Sequence, residues 1–167
     1  AGTATFGLVG SYAKASDLST ILEALNYTSS PVSYTSGPGS NQVDAFYSDT
    51  RTLIATAENL DLNAIVDSFG TTLNFLKMKL IFIKNKATAT GQYLQVSGNF
   101  WDGDTSSLGP LGGTSPVAYI GPGGSFLWDS PIDGATVTNT TKDTITLTNT
   151  VPPAGFAYDI ILLGTIT

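Results

Sequence analysis

Chemistry needs side chains that can hold a proton, a metal ion or a nucleophile, and this chain carries few of them. It has no His and no Cys, which removes the commonest general base, the commonest metal ligand, any thiolate site and any disulfide. A Ser-His-Asp hydrolase is excluded. Neither the nucleophile elbow Gly-x-Ser-x-Gly nor the phosphate loop Gly-x-x-x-x-Gly-Lys-Ser/Thr occurs. The run Gly121 to Gly124 lacks the Lys and precedes an extended stretch, so it reads as a turn. Only Glu23 and Glu58 are Glu; the other acids are Asp, mostly in loop-like segments. A glycosidase requires two carboxylates at a fixed separation, and the spacing of Asp102, Asp104, Asp129 and Asp133 does nothing to gather them. Asp102-Gly-Asp104-Thr-Ser106 opens like a calcium loop, but Ser107 stands at the sixth position instead of Gly and Gly113 at the twelfth instead of Glu. That leaves a turn held by Asp side chains. The expectation is a non-enzyme with no catalytic residues, no metal and no cofactor.

What remains for recognition is aromatic. Tyr12, Tyr27, Tyr34, Phe46 and Tyr47, with Phe100, Trp101 and Tyr119 further on, are candidates for a sugar-stacking platform, a protein contact or simply core. Trp101 sits between Phe100 and Asp102 at the head of a long Gly, Asp and Ser loop over 99–115, and both an outward and an inward placement stay open. Asn26-Tyr27-Thr28 and Asn139-Thr140-Thr141 fit the glycosylation pattern, as chance allows in so Asn- and Thr-rich a chain.

The elements that must position these residues are mostly strands. Lys77 to Asn85 is the centre of the pattern: Met78, Leu80 and Phe82 alternate with Ile81 and Ile83, so both faces are apolar. Such a strand is covered on both sides, or has one face in the core and the other in a subunit contact. Tyr158 to Leu163 has the same character and is expected beside it. In Asp143 to Asn149, Thr144, Thr146 and Thr148 face one way and Ile145 and Leu147 the other, which predicts one wet face. Further strands are expected at 42–47, 51–57, 92–97, 117–120, 124–128 and 135–138, separated by Gly, Pro and Asn turns. Helical spacing of Leu18, Ile21, Leu22 and Leu25 predicts a short amphipathic helix over 16–25, capped by Ser16 or Asp17. Leu62, Ile65, Val66 and Phe69 predict one or two helical turns ending at Gly70. The fold expected is therefore all-β, an antiparallel β-sandwich of the jelly-roll type, over 42–167. It is preceded by an N-terminal arm, short helix and linker over 1–41.

At 167 residues the chain suits one main domain. Charged residues make up 12 % of it, against about 25 % in ordinary soluble domains. A surface polar through Thr, Ser, Asn and Gly can be buried in an assembly without desolvating many charges. The net charge of −6 argues against nucleic acid and anionic membranes as partners. No apolar run approaches the length of a membrane span, no basic-plus-apolar leader opens the chain, and Ala1 reads as the residue left after removal of an initiator Met.

Several segments together resemble a known kind of protein. They are the run Leu60 to Gly70, the strand Lys77 to Asn85, Pro-Gly-Gly-Ser-Phe at Pro122 to Phe126, the Asp133-Gly134 turn and the closing Tyr158-Asp-Ile-Ile-Leu-Leu-Gly164. In these the chain is similar to small virion structural proteins of tailed bacteriophages, of the capsid cement or decoration type. The resemblance covers about residues 51–167, and residues 1–50 depart from it. It implies a trimeric β protein on the outer capsid surface of the virion, with the major capsid protein and its own copies as partners, and carries over no catalytic residue. Leu18, Ile21, Leu22, Leu25 and Tyr27 near the arm, with Phe100 and Trp101, are the candidate partner contacts. The alternative is a tail or fibre module that binds host carbohydrate through Trp101, Tyr119 and loop Asp residues.

Overall fold

A computed structural model describes residues 2–4, 7–15, 20–28, 32–54, 56–102, 111–152 and 154–166, with backbone alone described through residue 27. It divides the chain into two compact units, Ala1–Thr35 and Ser36–Thr167. In the first, β1 (Gly2–Ala4) pairs antiparallel with β4 (Val32–Ser36). Between them β2 (Gly7–Ala15) and β3 (Thr20–Thr28) form a nine-residue ladder from Gly7↔Thr28 to Ala15↔Thr20.

The helix expected over 16–25 is thus corrected: Thr20 to Leu25 are extended, and residues 16–19 lie outside the described residues. Helix propensity is a weak prior that tertiary pairing overrides. Here Thr20, Ile21, Tyr27 and Thr28 are β-branched or aromatic residues suited to a pleated ladder.

The second unit holds the remaining strands: β5 (Gln42–Val43), β6 (Ala45–Leu53), β7 (Ala57–Asp61), β8 (Ile65–Val66), β9 (Thr72–Leu73), β10 (Lys77–Asn85), β11 (Leu94–Ser97), β12 (Ala118–Ile120), β13 (Ser125–Asp129), β14 (Ala135–Thr136), β15 (Thr144–Asn149) and β16 (Phe156–Thr165). Two antiparallel sheets carry the architecture. The first has the order β13-β10-β16-β6, with β14 continuing against the start of β10; the second has the order β12-β11-β15-β7. Of the connections between these eight strands only β11 to β12 stays within a sheet; every other one crosses to the opposite sheet. The two doubly apolar segments are central neighbours, paired from Lys77↔Thr165 to Asn85↔Tyr158 with a bulge between Met78 and Leu80.

The inner faces follow from the period of two. Ile81, Ile83, Ile160 and Leu162 from the first sheet share one buried cluster with Leu94, Val96, Ile145 and Leu147 from the second. Burying each such side chain contributes about 1.5–3 kcal/mol. Trp101, with 0 % exposure, lies in a single 3-10 turn (Asn99–Trp101) after β11. Its ring meets Phe126 of β13 edge-to-face at 5.6 Å and Phe100 at 5.2 Å, so it spans the two sheets. Asn99 fixes that turn: its Oδ1 accepts from the amides of Asp143 (3.0 Å) and Thr144 (2.7 Å). Gly98 is required there, because at φ 112° an added Cβ would fall against the Thr144 carbonyl and 2.8 Å from the Thr146 nitrogen.

The helical turns expected over 62–70 are also corrected. Asp61 Oδ1 accepts from the Asn63 amide at 2.8 Å, and Asp67 Oδ1 accepts from the amides of Phe69 (2.9 Å) and Thr71 (2.8 Å). Short carboxylates bonding their own downstream backbone turn the chain instead of letting it wind. The product is the β8–β9 hairpin, turning at Gly70 with φ 83°.

Candidate functional site

Among the described residues no group of three or more His, Cys, Asp or Glu side chains is placed to hold a metal. Asp102 spends Oδ1 on the Ser115 amide at 2.8 Å, as a turn-forming Asp should, while Asp104 lies outside the described residues. Asp129 ends β13 and Asp133 lies in the turn that follows.

The densest polar cluster is a structural join. Arg51 of β6 donates from Nε to Glu58 Oε1 of β7 at 2.8 Å, again from Nη2 to the same oxygen, and from Nη1 to Asp49 at 3.0 Å. Tyr158 of β16 donates to Glu58 Oε2 at 2.7 Å. Both Glu58 oxygens are therefore occupied, and the cluster ties β6 and β16 of one sheet to β7 of the other. The Glu58 bond holds Arg51 more firmly protonated than usual. Burial, and then the bond to Glu58, push the Tyr158 phenol well above its ordinary range. Asp143 is a second such lock: burial opposes its charge, but donors from Thr140 N, Thr144 Oγ1 (3.0 Å) and Asn99 Nδ2 (3.3 Å) outweigh it and hold the carboxyl low.

The surfaces left are the two outer sheet faces. On the first sheet the register sets Leu80 beside Leu163 and Leu163 beside Phe46; two residues on, Leu127 flanks Phe82 and Phe82 flanks Ile161. In this field each row is apolar over three strands and polar on the fourth, since Asp129 flanks Leu80 and Ser48 flanks Ile161. Phe46 is 56 % exposed and Leu127 exposed, Phe82, Ile161 and Leu163 are half-buried, and Leu80 is buried among them. A charged row borders it, where Lys84 lies beside Asp159 and Asp159 takes a 3.1 Å bond from Lys86 and one of 2.7 Å from Thr50. The Thr50 bond first, then Lys86, hold the Asp159 carboxyl low. At the opposite border Lys79, inserted at the bulge, is buried and donates to the carbonyls of Pro131 (3.3 Å) and Ile132 (2.7 Å). Burial, with the nearby Lys77 charge, lowers its pKa.

The outer face of the second sheet is of another kind. Tyr119, 63 % exposed, lies opposite Gln95; Gln95 lies opposite Thr148; and Thr146 lies between Ser97 and Asn59, whose Oδ1 it reaches at 2.9 Å. Tyr93, two residues before Gln95, is also exposed.

The candidate contacts read from the sequence fare unevenly. Phe100 and Trp101 are corrected: they are core, at 1 % and 0 % exposure. Their signal is ambiguous in sequence because a Gly-rich loop flanks them on one side only. Ile21, Leu22, Leu25 and Tyr27 lie on β3, their side chains outside the described residues, as does Leu18. Phe46 was among the aromatic candidates, whereas Leu80, Phe82, Ile161, Leu163 and Leu127 were not. The doubly apolar strands carried the signal, but which face would be outermost needs the partner sheet. Compared with protein-family models, with curated proteins and with solved structures, the chain matches none.

Proposed function

We propose that the chain is a non-enzymatic cement or decoration protein that binds the outer surface of a phage capsid, with the major capsid protein and its own copies in a trimer as partners. The observation that carries the reading is the apolar outer face of β13-β10-β16-β6. Its field measures on the order of 300 Å², at strand spacings of about 4.8 Å and residue rises of about 3.4 Å. A stable pairwise complex needs about 800 Å² on each side. One copy therefore binds weakly by this face, and copies joined in a trimer on a repeating shell bind by avidity. Low charge, and the lack of a reaction centre among the described residues, support a structural role. We read the sandwich as a jelly roll: numbered along the chain, its strands run 1-8-3-6 in one sheet and 2-7-4-5 in the other, the order of two interleaved Greek keys. Strand β3, with Ile21, Leu22, Leu25 and Tyr27, is the second contact we assign to the shell.

The test is to add purified protein to capsids stripped of accessory proteins and to image them by cryo-electron microscopy. Ordered density at symmetry joints, with the apolar face inward, is expected; bare shells overturn the reading. One observation favours a second reading, a neutral-glycan contact. Tyr93 and Tyr119 offer apolar rings beside the amide of Gln95 and the hydroxyl of Thr148, on a face without Lys or Arg. Amide shifts at these residues with maltohexaose or cellohexaose, and bare shells, would favour it.

A further inference from the structure

The most exposed large hydrophobic side chain described is Phe69, at 91 %. It does not sit on a loose loop. Asp67 accepts from the Phe69 amide at 2.9 Å and from the Thr71 amide at 2.8 Å through Oδ1, from the Gly70 amide at 3.1 Å through its carbonyl, and donates its own amide to Thr71 O at 2.9 Å. The hairpin thus presents one aromatic ring from a turn closed by four hydrogen bonds, an ordering cost already met before any contact forms.

The same unit carries a hollow of matching chemistry. At the β6–β7 corner, Thr52, Leu53, Ile54, Ala57 and Glu58 line an open depression of about 350 Å³. Leu53 is buried, Ile54 is exposed and packs over Gly155, and both Glu58 oxygens are already bonded, so the walls are mostly apolar, with Thr52 and Glu58 supplying the polar part. Knob and hollow lie at opposite ends of the sandwich. Leu53 pairs with Phe156 where β16 starts, whereas the Phe69 hairpin joins at Leu62, bonded to Asp143, and at Leu76, bonded to Thr165 where β16 ends. The ten residues of β16 make that separation about 30 Å.

We propose that copies of this chain associate head to tail, Phe69 of one copy entering the Leu53–Ile54–Ala57 hollow of the next. Two different surfaces meet, so the contact is heterologous and each copy offers one knob and one hollow; the assembly closes into a ring where the rotation between copies returns to the start and grows as a filament otherwise. The proposal deepens the reading above by naming the contact between copies, and rests on that reading only for its purpose.

Sedimentation of the full chain, without shells, tests it. The native protein associates as concentration rises. Phe69→Asp and Ile54→Asp each weaken association roughly 100-fold, the loss expected for a central apolar anchor. Both positions are exposed, so both variants keep the native fold, which circular dichroism checks. An equimolar mixture of the two pairs one to one and grows no further, because only one intact knob and one intact hollow are present. A native protein that stays monomeric into the millimolar range, single variants that associate as the native protein does, or a mixture that fails to pair overturns the proposal. A monomer that still decorates shells removes this inference and the trimer with it but leaves the capsid contact standing, and an associating protein that leaves shells bare removes the capsid contact alone.

Discussion

The two sheets are built by the same rule and finish differently. Each points Ile, Leu and Val inward at every second residue, and each leaves the alternate positions to face away. On β15 those positions are Thr144, Thr146 and Thr148; on β10 and β16 they are Leu80, Phe82, Ile161 and Leu163. Thr keeps the β-branched shape that suits a strand and adds a hydroxyl for water, so the second sheet satisfies the fold and solubility together. The first sheet satisfies the fold equally well and carries an apolar field that the fold does not require. That field, rimmed by charge, is the ground on which the capsid contact is proposed.

The largest expected effect breaks the comparison by removing the scaffold common to both faces. Trp101→Ala deletes the ring that touches Phe126 across the sheets and costs about 3–5 kcal/mol, read as a lowered urea midpoint. Spectra of both faces then collapse together at urea concentrations the native protein withstands, and shell binding goes with them. Phe82→Asp is the selective counterpart. It places a charge between Leu127 and Ile161, lowers shell occupancy roughly 100-fold, and, because Phe82 is only half-buried, lowers the urea midpoint less than Trp101→Ala does. Thr146→Asp on the other sheet is its control, and equal loss of binding in both would end the distinction between the faces.

Much of this was legible before any coordinates. The strand at 77–85 has its observed bounds, its neighbour at 158–163 was identifiable because both segments are apolar on both faces, and the wet face of β15 follows from alternation alone. What failed is equally specific. Leu18, Ile21, Leu22 and Leu25 satisfy a helical period, yet a ladder partner decides between helix and strand, and β2 lies within ten residues. At Asp61 and Asp67 the turn-forming carboxylates overrode the Leu62–Phe69 spacing. Trp101 was undecidable, since its burial depends on Phe126, 25 positions along the chain and on the other sheet. The outer field is assembled from four strands far apart in sequence, so its continuity exists only in the register.

The join between the faces has a pH signature. The Tyr158 phenol is held protonated by burial and by Glu58, above its unfolded value of about 10. Its contribution is fully present below that pH and is lost as pH rises through the folded value, because the unfolded chain then releases a proton that the folded one keeps. Tyr47, raised by burial, acts in the same direction. Lys79 acts oppositely: its lowered pKa makes its burial less costly as pH climbs toward about 10.4. Urea midpoints should therefore fall above about pH 10 and fall less steeply in Tyr158→Phe. A native slope unchanged by that substitution would place the alkaline sensitivity outside the join.

The smallest effect belongs to the second face and sets how far the comparison extends. Thr146 Oγ1 reaches Asn59 Oδ1 at 2.9 Å in an exposed setting, where water competes for both groups. Thr146→Val keeps the branched shape and deletes only the hydroxyl, so the expected change is within about 0.5 kcal/mol. If the hydroxyls serve to wet a face that packing already holds, urea midpoints of the native and Val proteins coincide and the variant gains no affinity for shells. If the Val protein loses more than about 1 kcal/mol, the Thr–Asn ladder is holding β7 to β15 and is part of the fold. The polar face would then be constrained by stability, and the contrast with the apolar face would lose its meaning.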